Sequence, residues 1–263
     1  MTVFLLPLVL WTAQTAGSEP DPGGEAFFGF TDSSGELVIL HDTGSVQVPS
    51  TLFAVSPEGD LTEAGLVRVS GGSPENSHRD TEANFDNLPG AVYRLEGGPL
   101  PAGTTVLLAD RAFLQGREVL AVSDGYREPA GGDIEAAIEE ARGLGVRESW
   151  VIATVDGGIP VVLVGFEPGD SSSMAGLAAV GDAGTIMRDL EGAAPNDVSV
   201  WRVDDGGLLH PEDFRVIAAF SAPAGLEIAF TWAGFEGELG SLLAESGGEF
   251  VEVLDGYRYW APL

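Results

Sequence analysis

The apolar residues of this chain come in short runs, and most runs end in a turn-forming cluster. Phe27–Thr31, Glu36–Leu40, Leu52–Val55 and Gly65–Val69 follow one another in the first third, separated by Asp32-Ser-Ser-Gly35 and Ser56-Pro-Glu-Gly59. Runs this short bury a strand but not a helix, and Asp, Ser, Pro and Gly between them favour tight reversals. After a polar stretch from Gly71 to Asn87, further runs appear at Ala91–Leu95, Thr104–Ala109 and Glu118–Ser123. The pattern predicts antiparallel hairpins.

One segment has helical periodicity. Ile134, Ala137, Ile138, Ala141 and Leu144 share a face, Asp133 stands at its start and Gly145 at its end, while Glu135, Glu139, Glu140 and Arg142 form a solvated face. Beyond it, two stretches resemble each other. Val151-Ile-Ala153 is echoed by Val216-Ile-Ala218, and Gly165-Phe-Glu167 by Gly234-Phe-Glu236. Each pair brackets a strand–turn–strand pattern and is followed by a segment rich in small and helix-favouring residues, Ser172–Val180 and Gly237–Glu245. The expectation is a hairpin–helix–strand unit used twice in the C-terminal half. The expected fold class is therefore α+β, mainly antiparallel sheet with one to three short helices. Three regions are expected: residues 1–18 as a signal peptide, 19–100 as a β-rich part, and 101–263 as an α+β part.

Charge narrows the partners. The 263 residues carry 41 Asp and Glu against 12 basic residues, all of them Arg, for a net charge of −29. Such a field repels phosphate backbones, which argues against nucleic-acid partners. The absence of cysteine removes disulfides, thiolate catalysis and Cys-type zinc sites. The apolar run Val3–Trp11, followed by small residues to Ser18, has the form of an export signal. The expected location is the periplasm, cell surface or extracellular space. No later run has the length of a membrane helix.

Glu36-Leu-Val-Ile-Leu-His-Asp42-Thr-Gly-Ser45-Val-Gln-Val-Pro-Ser50 resembles the first active-site segment of pepsin-like aspartic proteases. The resemblance covers about 20 residues, and it implies that Asp42 is a catalytic carboxylate braced by Thr43, Gly44 and Ser45. Such chemistry needs two carboxylates sharing a proton. The partner segment would be Asp182-Ala-Gly-Thr185, where Ala replaces the hydroxyl residue after Asp. A hairpin turn accounts for Asp42–Ser45 more simply.

Asp80, Glu82, Asn84 and Asp86 alternate in the polar stretch and offer oxygen ligands suited to Ca²⁺, although Phe85 stands where an EF-hand requires Gly. His41, His78 and His210 have no metal-ligand spacing, and no other cofactor is implied. Tyr257, Tyr259 and Trp260, close to the end, form either a stacking platform or a core closure. No nucleophile–base–orienter set stands out. The leading expectation is an exported, acidic, non-catalytic protein that binds a protein, peptide or glycan. The alternative is an aspartic endopeptidase using Asp42.

Overall fold

The computed structural model describes residues 24–41, 48–125, 127, 129–167, 172–193 and 209–260, with the backbone alone at 172–173 and 191–193. The apolar segment Val3–Trp11 and the Asp42–Ser45 motif lie outside these residues. No described helix is long and apolar enough to cross a membrane.

Six strands close into a first barrel: β1 (Ala26–Thr31), β2 (Leu37–His41), β3 (Thr51–Val55), β4 (Leu61–Gly71), β5 (Pro89–Leu95) and β6 (Thr105–Ala109), in the order β1-β2-β5-β4-β3-β6. All pairings are antiparallel, and β6 returns to β1. Alternation sorts the side chains. Val38, Leu40, Leu52, Ala54, Tyr93, Val106 and Leu108 fill the interior. Ile39 points outward and is covered, with Phe30 and Val92, by Phe85 and Leu88 of the polar stretch. Closure leaves no strand edge to be satisfied by a neighbouring molecule.

The remaining strands form a ten-stranded sheet. After the short helix α1 (Arg111–Leu114) come β7 (Glu118–Leu120), β8 (Val122–Asp124), helix α2 (Gly132–Arg142), β9 (Val146–Val155), β10 (Ile159–Phe166), β11 (Ser172–Gly181) and β12 (Gly184–Ala193). They are followed by β13 (Phe214–Ala222), β14 (Gly225–Ala233), β15 (Gly237–Ser246) and β16 (Glu249–Tyr259). β9–β12 and β13–β16 are two four-stranded antiparallel meanders, joined by one parallel bridge between Met187 of β12 and Glu249 of β16. The outer edges are β7 and β8. Only Ala121 separates these two strands, so a single run of chain pairs with β13 on one side and β9 on the other. The sheet is thereby nearly closed into a second barrel. Its interior is packed by Val161, Leu163, Leu177, Ile228 and Leu243, with Phe214 stacked on Trp232 at a centroid distance of 4.7 Å.

This corrects the α+β expectation: the protein is mainly β, and the hairpin–helix–strand unit is not present. Both segments expected to be helices are strands, β11 and β15. Each is apolar on both faces. In β11, Ala175, Leu177 and Ala179 point into the second barrel, while Met174, Ala178 and Val180 point outward beneath α2. In β15, Leu243 points inward and Leu242 outward against the first barrel. A strand covered on both sides loses the apolar–polar alternation that would betray it. The helix expected from periodicity does form as α2. Its cap is Gly131, with Asp133 in the first turn, and it ends at Gly143 in the left-handed conformation (φ 73°).

Two outward apolar patches on the second barrel are therefore covered differently. α2 seals one through Ile138. The first barrel seals the other, where Val55, Leu107, Ala109 and Phe113 meet Ile217, Phe220, Ala229 and Leu242. At the margin of this interface Arg117 makes a two-pronged contact with Glu227, at 2.7 and 3.1 Å, and stacks 4.0 Å from the Phe113 ring centroid. Both side chains are nearly buried.

Two measurements check this packing. Glu227→Ala leaves the Arg117 charge buried without its partner and is expected to cost about 3–5 kcal/mol in denaturant unfolding, whereas Arg117→Met combined with Glu227→Leu recovers most of the loss. Tyr93 is buried, donates to Pro49 O at 2.8 Å, and is pushed up to about 12 by burial and by Glu25. An unfolded Tyr ionises near pH ~10. The contribution of Tyr93 is complete below that pH and is lost as pH rises toward the folded value, so alkaline unfolding between these limits should become shallower in Tyr93→Phe.

Candidate functional site

Where the two barrels meet, a cleft of about 540 Å³ opens between β1 and β2 on one side and β15 and β16 on the other. Its floor follows from two glycines. Gly240 and Gly256 are directly paired across β15 and β16. A Cβ would stand 2.9 Å from the Phe28 ring at Gly240 and 3.2 Å from it at Gly256. The bare backbone pair is what lets Phe28 of the first barrel seat against the second. Phe30 extends the aromatic wall on the same face of β1, whereas Phe27 packs inside the first barrel. Tyr257 and Tyr259 project from the other face of β16, away from Phe28.

The polar end of the cleft is organised by Arg258. Its Nε donates to Asp80 O at 2.9 Å, and a terminal nitrogen donates to Gly103 O at 2.6 Å. The guanidinium lies 4.2 Å from the Phe30 ring centroid and 5.4 Å from that of Trp260. Burial draws the Arg258 pKa down, against the opposing pull of Glu238, Asp80 and Glu82. Glu238 is tied in through the Thr105 hydroxyl, which donates to its carboxylate.

Asp80 is the second fixed point. Its N–H donates to Tyr259 O at 2.6 Å, and its Oδ2 accepts from Tyr259 N–H at 3.0 Å. The polar stretch of the first barrel is thus stitched to the last strand of the second. The other oxygen, Oδ1, is buried and lacks a hydrogen bond, although His41 Nδ1 lies 2.9 Å away. The Asp80 side chain is 6% exposed, while that of His41 is 32% exposed on the cleft wall.

The residues expected to bind Ca²⁺ diverge. Asp80 serves the barrel junction. Glu82 lies against Gly103 and contributes to the field on Arg258. Asn84 is consumed within its own loop, donating to Asn76 Oδ1 and Arg79 O and accepting from Ser77 N–H. Asp86 turns outward to Arg68 at 2.7 Å. Among the described residues no three His or acidic side chains gather as a metal would require. Of the two expected catalytic carboxylates, Asp42 lies outside the described residues, and Asp182 is exposed at the turn between β11 and β12.

Of the residues singled out in the sequence, Asp80 and His41 converge on the cleft, and β16 at Tyr257 and Tyr259 borders it. Phe28, Glu238 and Arg258 were missed. The paired glycines beneath Phe28 leave no signal in either strand alone, because their meaning depends on register.

Fold and site together define a two-barrel, mainly β protein with an aromatic and acidic cleft at the junction. No family model matches the chain, and no solved structure matches it. Over 101 residues it is 35% identical to a C-glycoside 3-oxidase of Microbacterium trichothecenolyticum, a stretch that makes up 37% of this chain and 19% of that enzyme. The match therefore spans about a fifth of the relative's length.

Replacing Arg258 by Met removes its hydrogen bonds to the carbonyls of Asp80 and Gly103. The expected loss is about 2–4 kcal/mol of unfolding free energy, measured by denaturant titration. A change below about 0.5 kcal/mol would show that the junction does not rest on this side chain.

Proposed function

We propose that the junction cleft binds a glycoside, a pyranose ring carrying an aromatic aglycone. The observation that carries this reading is the side-by-side placement of aromatic faces and fixed polar groups. Phe28, with Phe30 beside it, offers apolar surface to the C–H face of a sugar and to an aryl ring. Glu238 and His41 stand around the same space to meet hydroxyls. A few placed polar groups in a mostly apolar concavity of this size are what a small-ligand site requires. The partial relative supports the same ligand class, since its name specifies a C-glycoside. If the run at Val3–Trp11 serves export, the ligand is met outside the cytoplasm.

The endopeptidase alternative lacks support from the geometry, because Asp182, the second carboxylate it needs, occupies an exposed hairpin tip.

Calorimetric titration of the whole chain with a C-aryl glucoside, and with the matching phenyl O-glucoside, tests the proposal. Saturable one-site binding in the micromolar-to-millimolar range is expected. Glu238→Gln should weaken binding about 3–10-fold through the loss of a charge-assisted hydrogen bond to a sugar hydroxyl. Absence of binding by either glucoside at millimolar concentration would overturn the reading.

A further inference from the structure

We infer that Thr105 is a positioning residue: its hydroxyl holds the Glu238 carboxylate apart from Arg258 and so keeps it free to accept from a ligand hydroxyl in the cleft. This rests on the cleft being the ligand site.

An ion pair that the strand register invites is not made. Glu238 and Arg258 stand directly opposite each other on β15 and β16. By alternation both lie on the face of Gly240 and Gly256, which is turned toward Phe28 of the first barrel. Opposite charges at such positions ordinarily pair. Among the surrounding carboxylates Glu238 exerts the strongest pull on the guanidinium. Yet Arg258 spends its donors on the carbonyls of Asp80 and Gly103, and Glu238 is bonded by Thr105 instead.

Thr105 is buried on β6, where its backbone pairs with Phe30 of β1. Its hydroxyl therefore reaches Glu238 from across the junction, from a frame that does not move with β15. Arg258 makes a longer contact to the same hydroxyl oxygen, at 3.5 Å. A guanidinium only donates and a carboxylate only accepts, so the single hydroxyl proton is directed at Glu238. That bond occupies Oε2. Glu238 is half-buried and lines the cleft. Its other oxygen, Oε1, has no hydrogen bond and is open to solvent, because Asp80 Oδ1 is the one buried side-chain atom of the described residues that lacks a partner. A charged acceptor of this kind suits a sugar O–H. Without the Thr105 hydroxyl, the charge of Glu238 draws it onto Arg258, and a carboxylate closed on a guanidinium has spent the acceptor sites a ligand needs.

The test has two readouts on the full-length protein. Crystal structures without ligand compare the wild type with Thr105→Val, which keeps the branched shape and removes the hydroxyl, and with Thr105→Ser, which keeps the hydroxyl. The expected result is a direct Glu238–Arg258 ion pair in Thr105→Val alone. Calorimetry with the C-aryl glucoside reads the consequence. Thr105→Val should weaken binding about 3–10-fold, as Glu238→Gln does, and Thr105→Ser should restore most of the affinity. Adding Thr105→Val to Glu238→Gln should cost nothing further, since the two residues act as one unit, whereas a merely structural role for Thr105 gives additive losses. A Glu238 side chain unmoved in Thr105→Val, or additive losses in the double variant, would overturn the inference. The crystallographic arm needs no ligand. Failure of the wild type to bind glucosides would therefore strike the ligand reading, and is separable from failure at Thr105.

Discussion

The buried guanidinium of Arg258 is the interaction on which the architecture turns. It projects from the last strand of the second barrel and is held by carbonyls of Asp80 and Gly103 in the first. With 12 Arg and no Lys against 41 acidic residues, each cation is in demand. A guanidinium suits this position because its planar fork can bond two carbonyls and lie against the Phe30 ring at once. The apolar interface under β13–β15 supplies the bulk of the burial between the barrels. Arg258 and Asp80 fix the relative placement at the open end, where burial is incomplete and a cleft remains.

The strands of the first barrel were legible because their turns are chemically explicit. Asp32-Ser-Ser-Gly35 is an example: Asp32 accepts from Ser34 and from Leu37 N–H, and Gly35 takes a positive φ of 72°. In the second barrel the strand–turn–strand patterns at Val151–Val155 with Val161–Val164, and at Val216–Phe220 with Leu226–Phe230, fall within the observed hairpins β9–β10 and β13–β14. β11 and β15 were not legible. Residues such as Met174, Ala178 and Leu242 are apolar because α2 or the first barrel covers them, and a single sequence does not show what lies on the far side of a strand. Ala and Leu at those positions have helical propensity, and tertiary packing overrides it.

The site was legible only as fragments. Tyr257 and Tyr259 were conspicuous as aromatics, and Asp80 as one acid among several. Its pairing with His41 joins residues 39 positions apart, brought together because β2 pairs with β5 and the intervening polar stretch folds back onto β16. Spacing along the chain drew Asp80 toward Glu82, Asn84 and Asp86, whereas folding sends those three elsewhere. The acidic character of the whole chain also matters to the ligand. A neutral polyhydroxylated ring enters a strongly negative protein without the repulsion that an anion would meet.

A crystal structure of the protein soaked with a C-aryl glucoside tests the central claim most directly. The account predicts one sugar ring in the junction cleft, its flat face against Phe28 and a hydroxyl within hydrogen-bond distance of Glu238. A glucoside bound elsewhere on the barrels, with the cleft filled only by water, would contradict it.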